Sequence, residues 1–246
     1  MNPPGRLSDP RPFLILLGAS AIALATGCSQ APTPAPAQGA APAQAAAPNA
    51  DAAKKLSLYS AMLKAHRDDL AAPIGEEIVS DCPNTPAAAE VQKTLPGIQA
   101  KAKATAERDR LAALWLYQTG TQSGGKQVSA SISSSKPGGE AAVRLILRRH
   151  SKWGQSVYLF GSGHGFVCKG QCEVPMRFDG KPQAWKAYLP KTGEPALFIK
   201  EDARFIKVME KARVIEMDVV TKDHGKETLT FEVGGYDPAK FPELKK

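Results

Sequence analysis

The cysteines are the residues of this chain whose chemistry is easiest to constrain. Cys168 and Cys172 flank the three residues Lys-Gly-Gln, which separate two segments that look like β-strands. A short loop between antiparallel strands places its flanking residues opposite each other, about 4.5 to 5.5 Å apart, which is within disulfide range. The spacing therefore predicts a disulfide between Cys168 and Cys172, provided that the chain is exported to an oxidising compartment.

A metal site and a redox site are the alternatives for this cysteine pair. His164 is the available third metal ligand, but four residues of a strand span roughly 13 Å, so it reaches the ion only if the chain bends. A fourth ligand is missing as well. The spacing is not Cys-x-x-Cys, which disfavours a redox role. We expect no metal and no cofactor.

Cys82 is left as the odd thiol. Burial, pairing between molecules and pairing with Cys168 or Cys172 all stay open.

A basic and aromatic cluster lies at a predicted hairpin turn. It consists of Arg148, Arg149, Lys152 and Trp153. Its cationic side chains, beside an exposed aromatic ring, suit the phosphates of lipids or the carboxylates of a cell-wall polymer. A solvated turn without a ligand is the alternative. These four residues form the candidate surface contact.

Paired carboxylates are the remaining candidates for chemistry. Glu216 and Asp218 share a strand face about 7 Å apart, and Glu76 and Glu77 lie near Asp81 in the sequence. A glycoside hydrolase needs two carboxylates across a cleft, one with its pKa raised by burial, whereas these lie among charged neighbours. The histidines are too scattered for a catalytic triad. The sequence therefore predicts no catalytic residues and no enzyme, with a cell-wall hydrolase as an alternative.

A helical segment is predicted over residues 51–120. Apolar residues recur there at steps of three and four, which is the helical period. The first helix is expected to run from Asp51 to the breakers Pro73 and Gly75. The second is expected from Thr85 to about Tyr117, with an interruption at residues 95–97.

After Gly120 the apolar period changes to two, and turn residues separate the segments. Short strands at regular spacing over residues 121–236 predict an antiparallel β-sandwich. One helix, with Phe205 and Ala212 on its apolar face, is expected to cover an end or edge of the sheet, and residues 237–246 are expected to be a tail. The predicted fold class is α+β, an N-terminal helical segment followed by an antiparallel β-sandwich with one covering helix.

Residues 165–236 also resemble a known family. The motifs, in chain order, are Arg177-Phe178-Asp179-Gly180-Lys181, Trp185, Ala196-Leu197-Phe198-Ile199, the helix from Phe205 to Ala212, and Thr230-Phe231-Glu232-Val233-Gly234-Gly235. Their order resembles the small β-sandwich of the TagO-like envelope proteins associated with type VI secretion. Every motif is a packing or turn element, so the resemblance implies the fold more than the function. The cysteine pair, the helical segment and the N-terminal region depart from the family pattern.

The N-terminus carries an export signal. Arg6 and Arg11 precede an apolar run from Phe13, which is too short to span a bilayer as a stable helix. The run ends in Leu-Ala-Thr-Gly-Cys at Cys28, which resembles the bacterial lipoprotein signal. The resemblance implies that residues 1–27 are a signal peptide and that Cys28 carries lipid, which anchors the chain to a membrane. An ordinary signal peptide with an incidental cysteine is the alternative.

Residues 28–50 are expected to be a disordered tether that begins at the lipidated Cys28. They consist almost entirely of Ala, Pro and Gln and carry too little apolar surface to offset the entropy of ordering. Ser29 occupies the position where an aspartate is the usual signal for retention in the inner membrane. Because Ser29 is not an aspartate, the periplasmic face of the outer membrane is favoured over the inner membrane.

Composition and charge narrow the function. The net charge of +8 favours anionic headgroups or wall polymers, and the sequence lacks the aromatic and basic interleaving of single-strand nucleic-acid binders. We expect a non-enzymatic, lipid-anchored periplasmic protein that acts as an accessory or binding module. Its expected partner is another envelope protein or the cell wall, and the family resemblance adds a link to secretion. An inhibitor or immunity lipoprotein that captures a periplasmic toxin is the alternative of a different class.

Overall fold

The computed structural model describes residues 46–161 and 163–244, and it contains four α-helices and nine β-strands in that part of the chain. The helices are α1 (Ala46–Lys64), α2 (Asp68–Asp81), α3 (Pro86–Ala113) and α4 (Asp202–Met209). The strands are β1 (Trp115–Gln122), β2 (Gly125–Ser133), β3 (Arg144–His150), β4 (Gly154–Phe160), β5 (Gln171–Phe178), β6 (Lys181–Tyr188), β7 (Ala196–Ile199), β8 (Ile215–Thr221) and β9 (Gly225–Phe231). This arrangement confirms the predicted α+β class, with helices first and one later helix.

The first predicted helix is in fact two helices. His66 adopts a left-handed conformation with φ of 55°. The N–H groups of His66 and Arg67 donate to carbonyls three and five residues earlier, which is the Schellman pattern that ends a helix. Pro73 then lies inside α2, so the expectation that it ends a helix was wrong. Proline removes one N–H donor from the helix and crowds the carbonyl four residues earlier, and packing of α2 in the core of the three helices outweighs that cost.

The three N-terminal helices pack around a core of their own, which is separate from the core of the sheet. Gly75, expected as a helix stop, instead lets α2 approach α3, because a Cβ there would lie 2.7 Å from the Cδ1 of Leu95. Thr85 caps α3 as expected, with its hydroxyl accepting from the N–H of Ala88 at 3.2 Å. The expected interruption of this helix was wrong, because α3 continues through Pro96 on its exposed face, where water can bond the freed carbonyl.

Strand β1 begins at Trp115, although residues 115–117 were expected to continue the second helix. Trp115 is buried in the core of the sheet, and its indole N–H donates to the carbonyl of Val233 at 3.3 Å. Leu116 next to it is half exposed. This alternation of buried and exposed residues has the period of a strand, and the run was too short to distinguish it from a helix end by pattern alone.

The nine strands form one antiparallel sheet in the order β1-β2-β3-β4-β7-β6-β5-β8-β9. The strands expected to form a sandwich are therefore hydrogen-bonded to one another in a continuous series. An isolated bridge between Lys136 and Thr230 joins the chain after β2 to β9. The inward side chains of all nine strands share one core. Helix α4 covers part of it as predicted, with the ring of Phe205 5.5 Å from that of Trp185.

The C-terminal segment packs on the sheet. Phe241 is buried in the core of the sheet. The N–H of Asp237 donates to the hydroxyl of Tyr117 at 2.6 Å. The segment after β9 therefore belongs to the folded sheet domain as far as the structure describes it, to residue 244.

Candidate functional site

The turn between β3 and β4 carries two members of the predicted contact on the outer face of the sheet. The guanidinium of Arg148 lies 5.4 Å from the ring centre of Trp153 and 5.2 Å from that of Tyr158. Both distances are within the range of cation–π attraction. Its Nε also donates to the hydroxyl of Ser156 at 3.2 Å. Arg148 and Trp153 are thus held together, with 50% of Trp153 exposed.

The other two predicted contact residues have local structural partners. Arg149 donates to the carbonyl of Phe241 at 2.6 Å and lies over the Phe241 ring at 4.4 Å, which ties the C-terminal segment to the sheet. It also donates to the amide oxygen of Gln155 at 2.9 Å. Lys152 donates to the carbonyl of Ser123 in the turn between β1 and β2 at 3.3 Å.

The ring of His150 supports one face of the Trp153 ring. The two rings stack at a centroid distance of 3.8 Å with an interplanar angle of 12°, and His150 is only 2% exposed. Its Nδ1 accepts from the N–H groups of Lys152 and Trp153, at 3.1 and 3.3 Å. Its Nε2 therefore carries the proton and donates to the carbonyl of Gln122 at 2.9 Å. Trp153 is an exposed ring on a rigid support.

Three aromatic residues continue this surface across the sheet. Tyr158 pairs with Phe198 across β4 and β7, and Phe198 pairs with Tyr188 across β7 and β6. The rings stack at 4.8 Å and 5.5 Å respectively, as expected for directly opposed aromatic residues. We name the row Trp153, Tyr158, Phe198 and Tyr188, together with the cations Arg148, Lys186 and Lys200, the aromatic–basic surface.

The three cations of this surface form no ion pair in the described part of the chain. The N–H of Lys200 donates to the carbonyl of Lys186 at 2.8 Å, so the two side chains leave from neighbouring strand positions. Within the described residues, no carboxylate oxygen lies within 4.0 Å of the charged nitrogens of Arg148, Lys186 or Lys200. Burial raises the pKa of Tyr158, and the nearby charge of Arg148 partly opposes the shift. The tyrosine hydroxyl therefore stays neutral. Acidic residues lie near the cations, since Glu173 stands opposite Lys186 and Glu201 and Asp202 line the same groove.

An open groove lies at the Tyr188 end of the aromatic–basic surface. Its volume is about 560 Å³, which is in the range of small-ligand sites. Tyr188 and Phe198 provide its aromatic lining, and Gln155, Ser156 and Gln171 provide amide and hydroxyl groups. We name it the Tyr188 groove. A second groove, of about 610 Å³, lies between the β3–β4 turn and α4, and its rim mixes basic and acidic residues.

The carboxylates on β8 are engaged by one arginine. Arg177 donates to Glu216 at 2.9 Å and to Asp218 at 2.8 Å, and the hydroxyl of Thr228 donates to Asp218 at 2.7 Å. The hydrogen bonds from Arg177 hold the pKa of Asp218 below its usual range. A general acid in glycoside hydrolysis requires the opposite shift. This pair is therefore suited to holding β5, β8 and β9 together and not to acid catalysis.

The carboxylates on α2 are also occupied. Lys55 donates to Glu77 at 2.8 Å and to Asp81 at 3.2 Å, and Glu76 accepts from the amide of Gln99 at 2.6 Å. Hydrogen bonds from Ser80 and Lys55 lower the pKa of Asp81. These contacts link α2 to α1 and α3.

The predicted disulfide is present. Cys168 and Cys172 are bonded, with their Cα atoms 5.5 Å apart, and the bridge closes the loop that leads into β5. His164 does not approach them as a ligand, because its Nδ1 and its backbone N–H both bond the carboxylate of Asp223. These bonds lower the pKa of Asp223. Cys82 is a free thiol buried among the three N-terminal helices.

In residues 46–161 and 163–244, no group of three or more His, Cys, Asp or Glu side chains is placed to hold a metal ion. The same part of the chain contains no helix long and apolar enough to span a bilayer.

The predicted signal peptide and the predicted lipidation site Cys28 lie outside the described residues, as does most of the predicted tether. Comparison with family models, curated proteins and solved structures returned no match.

Sequence reasoning missed the central part of the aromatic–basic surface. Tyr158, Phe198 and Tyr188 were counted only as members of apolar strands. The available signal was their position, since each alternates with buried residues, as Tyr158 does between Val157 and Leu159. An aromatic residue at the outward position of a strand indicates an exposed ring.

Proposed function

We propose that this chain is a non-enzymatic, lipid-anchored envelope protein whose sheet domain is a binding module for the cell wall or another envelope protein. The observation that carries the proposal is the aromatic–basic surface, with stacked rings and three cations that lack carboxylate partners within the described residues. Aromatic and arginine residues on a rigid support are the side chains enriched at interfaces. An anionic partner would supply the missing negative charge.

The described carboxylates support binding over catalysis. The pairs singled out as candidates accept hydrogen bonds from lysine, arginine or glutamine side chains, and the pKa values of Asp218 and Asp81 are lowered. A lowered pKa keeps a carboxylate ionised and removes it as a proton donor near neutral pH. In the proposed function, the role of these carboxylates is therefore to stabilise the fold.

The anchor is tested with a Cys28→Ser variant of the full chain expressed in a Gram-negative bacterium. We expect the parent chain in the outer-membrane fraction and the variant in the soluble periplasmic fraction, because the variant lacks the thiol that would carry the acyl chains holding the parent to the bilayer. Unchanged membrane fractionation of Cys28→Ser would contradict the anchor.

Binding is tested with the anchored chain by co-sedimentation with purified cell-wall sacculi and by pull-down from detergent-solubilised envelopes. The surface variant replaces Arg148, Lys186 and Lys200 with alanine. The matched control replaces Lys93, Lys101 and Lys103, three exposed cations of α3. We expect the surface variant to lose the bound wall or protein partner and the control to retain it. Equal recovery with both variants would refute the assignment of binding to this surface.

A further inference from the structure

We infer that the Tyr188 groove binds a pyranose ring bearing a carboxylate, as in the muramyl unit of a cell-wall glycan. The inference rests on the proposed binding function and names its ligand. Three features of the groove carry it, namely an aromatic floor, fixed amide and hydroxyl groups, and two lysines that form no ion pair in the described part of the chain.

The aromatic floor suits the apolar face of a sugar ring. Tyr188 stacks one face on Phe198, with ring centroids 5.5 Å apart and an interplanar angle of 27°, so the other face of Tyr188 is the platform left for a sugar ring. Tyr188 retains 38% of its surface exposed. An aromatic face carries negative charge density, which complements the polarised C–H groups on one face of a pyranose. Packing of that face on the platform also removes apolar surface from water.

The polar groups of the groove suit the hydroxyl and acetamido groups of the same ring. The hydroxyl of Ser156 is held by the Nε of Arg148 at 3.2 Å. Gln155 also lines the groove, and its amide oxygen accepts from Arg149 at 2.9 Å, which fixes the side chain. Gln171 contributes a second amide to the lining. Groups that are already oriented lose little entropy when a ligand binds.

The charge of the groove suits a carboxylate on the ring. Lys186 and Lys200 both line the groove and have no carboxylate partner within the described residues. Two acids also line the groove: Glu201 pairs with Arg204 at 2.6 Å, and Asp202 accepts from the N–H of Ala203 at 2.8 Å. Glu173 stands directly opposite Lys186 on β5, but in the described part of the chain neither lysine has an ion pair within 4.0 Å. A ligand carboxylate between the two ammonium groups would supply one.

An extended peptide fits this face less well. Peptides that add to a sheet need a strand with an unpaired edge. Strand β7 is paired with β4 along its length and with β6 at Ala187 and Tyr188, and Tyr188 is also paired with β5, so the strands offer no free edge beside the Tyr188 ring. This end of the groove favours a ligand recognised by ring stacking and polar substituents.

The test is saturation-transfer NMR and calorimetry on the full chain purified in detergent, with two matched sugars. N-acetylmuramic acid carries a lactyl carboxylate that N-acetylglucosamine lacks. We expect the acidic sugar to bind at least about tenfold more tightly, as a charged hydrogen bond would produce, with saturation transferred to its ring protons. The Lys186→Gln/Lys200→Gln variant should lose this preference but keep weak ring binding. The Tyr188→Ala variant should lose both the preference for the acidic sugar and the ring binding. The control variant Lys101→Gln/Lys103→Gln should keep both.

Equal binding of the two sugars, or no saturable binding of either at millimolar concentration, would overturn the inference. Circular dichroism of each variant separates a lost contact from a lost fold. If the sugars fail while the surface variant still loses its envelope partner, only the ligand assignment fails, and a peptide-like partner takes its place. If the surface variant also keeps its partner, the proposed function of the surface fails as well.

Discussion

Replacement of Gly235 by alanine should destabilise the protein by forcing α3 away from the sheet domain. A Cβ on Gly235 would lie 2.2 Å from the carbonyl carbon of Leu111 and 2.3 Å from the nitrogen of Ala112. These are backbone atoms at the end of α3, so they cannot rotate away as a side chain would. The backbone of one element must move instead, which would also strain the adjacent ion pair of Arg110 with Glu232.

The size of the effect follows from the displacement that is required. Relief of the clash to ordinary van der Waals contact needs a shift of more than about 1 Å, and overpacking of this kind costs about 1–3 kcal/mol. For a folded part of about 200 residues, each kcal/mol lowers the melting temperature by roughly 2–4 °C. We therefore expect Gly235→Ala to lower the melting temperature by roughly 2–12 °C.

Gly97→Ala is the matched control. Gly97 lies in α3, and a Cβ there would meet no atom within 4 Å. Alanine should stabilise the exposed helix by roughly 0.5–1 kcal/mol, so the same substitution should act with the opposite sign. Thermal and urea unfolding are followed by far-ultraviolet circular dichroism and by the fluorescence of the three tryptophans, of which Trp115 lies near the junction. An unchanged melting temperature for Gly235→Ala would refute the packing of this segment against α3.

Two further predictions concern the ion pair on β8 and the disulfide. Because Arg177 lowers the pKa of Asp218, the pair should stabilise the fold above the unfolded pKa of about 3.9 and lose its effect as pH falls through the lower folded value. Asp218→Asn should therefore reduce the urea midpoint at pH 7 but not near pH 2, and an equal loss at both would contradict the ionic contribution. Replacement of Cys168 and Cys172 by serine should cost about 2 kcal/mol, from the entropy of closing a short loop. The stability of the double variant should not change when reductant is added. The control Cys82→Ser should lose stability in reductant as the parent does. If reductant leaves the stability of the parent unchanged, the bridge does not stabilise the fold.

The features that sequence predicted well depend on residues close together in the chain. Cys168 and Cys172 are only four positions apart, and a single tight loop brings them into bonding distance, although the expected first strand of a hairpin is reduced to an isolated bridge between Phe166 and Thr221. The apolar face of α4, with Phe205 and Met209, repeats within a single helix. Strands β8 and β9 alternate buried and exposed residues and are separated by a turn at Gly225. In each case one local rule suffices.

The features that sequence predicted badly depend on packing between distant segments. Pro73 and Pro96 both have the local signature of a helix end, yet each lies inside a helix whose apolar residues pack on the other two. Tyr158, Phe198 and Tyr188 meet only because β7 lies between β4 and β6, an order that departs from the order of the chain. The alternation of the sequence predicts that the three rings point outward. Their stacking could not be predicted without knowing the order of the strands in the sheet.

The support of the aromatic row bears on whether it is a binding surface or a packing feature. Tyr158 and Phe198 recover burial by stacking on each other, so their positions have a purely structural explanation. Trp153 does not, because His150 stacks on one face and Arg148 lies beside the ring while half of its surface stays in water. A large ring held rigid but exposed contributes less to folding than a buried one, and it loses little further entropy when a partner covers it. That combination is what a binding surface requires, and folding of the sheet alone does not require it.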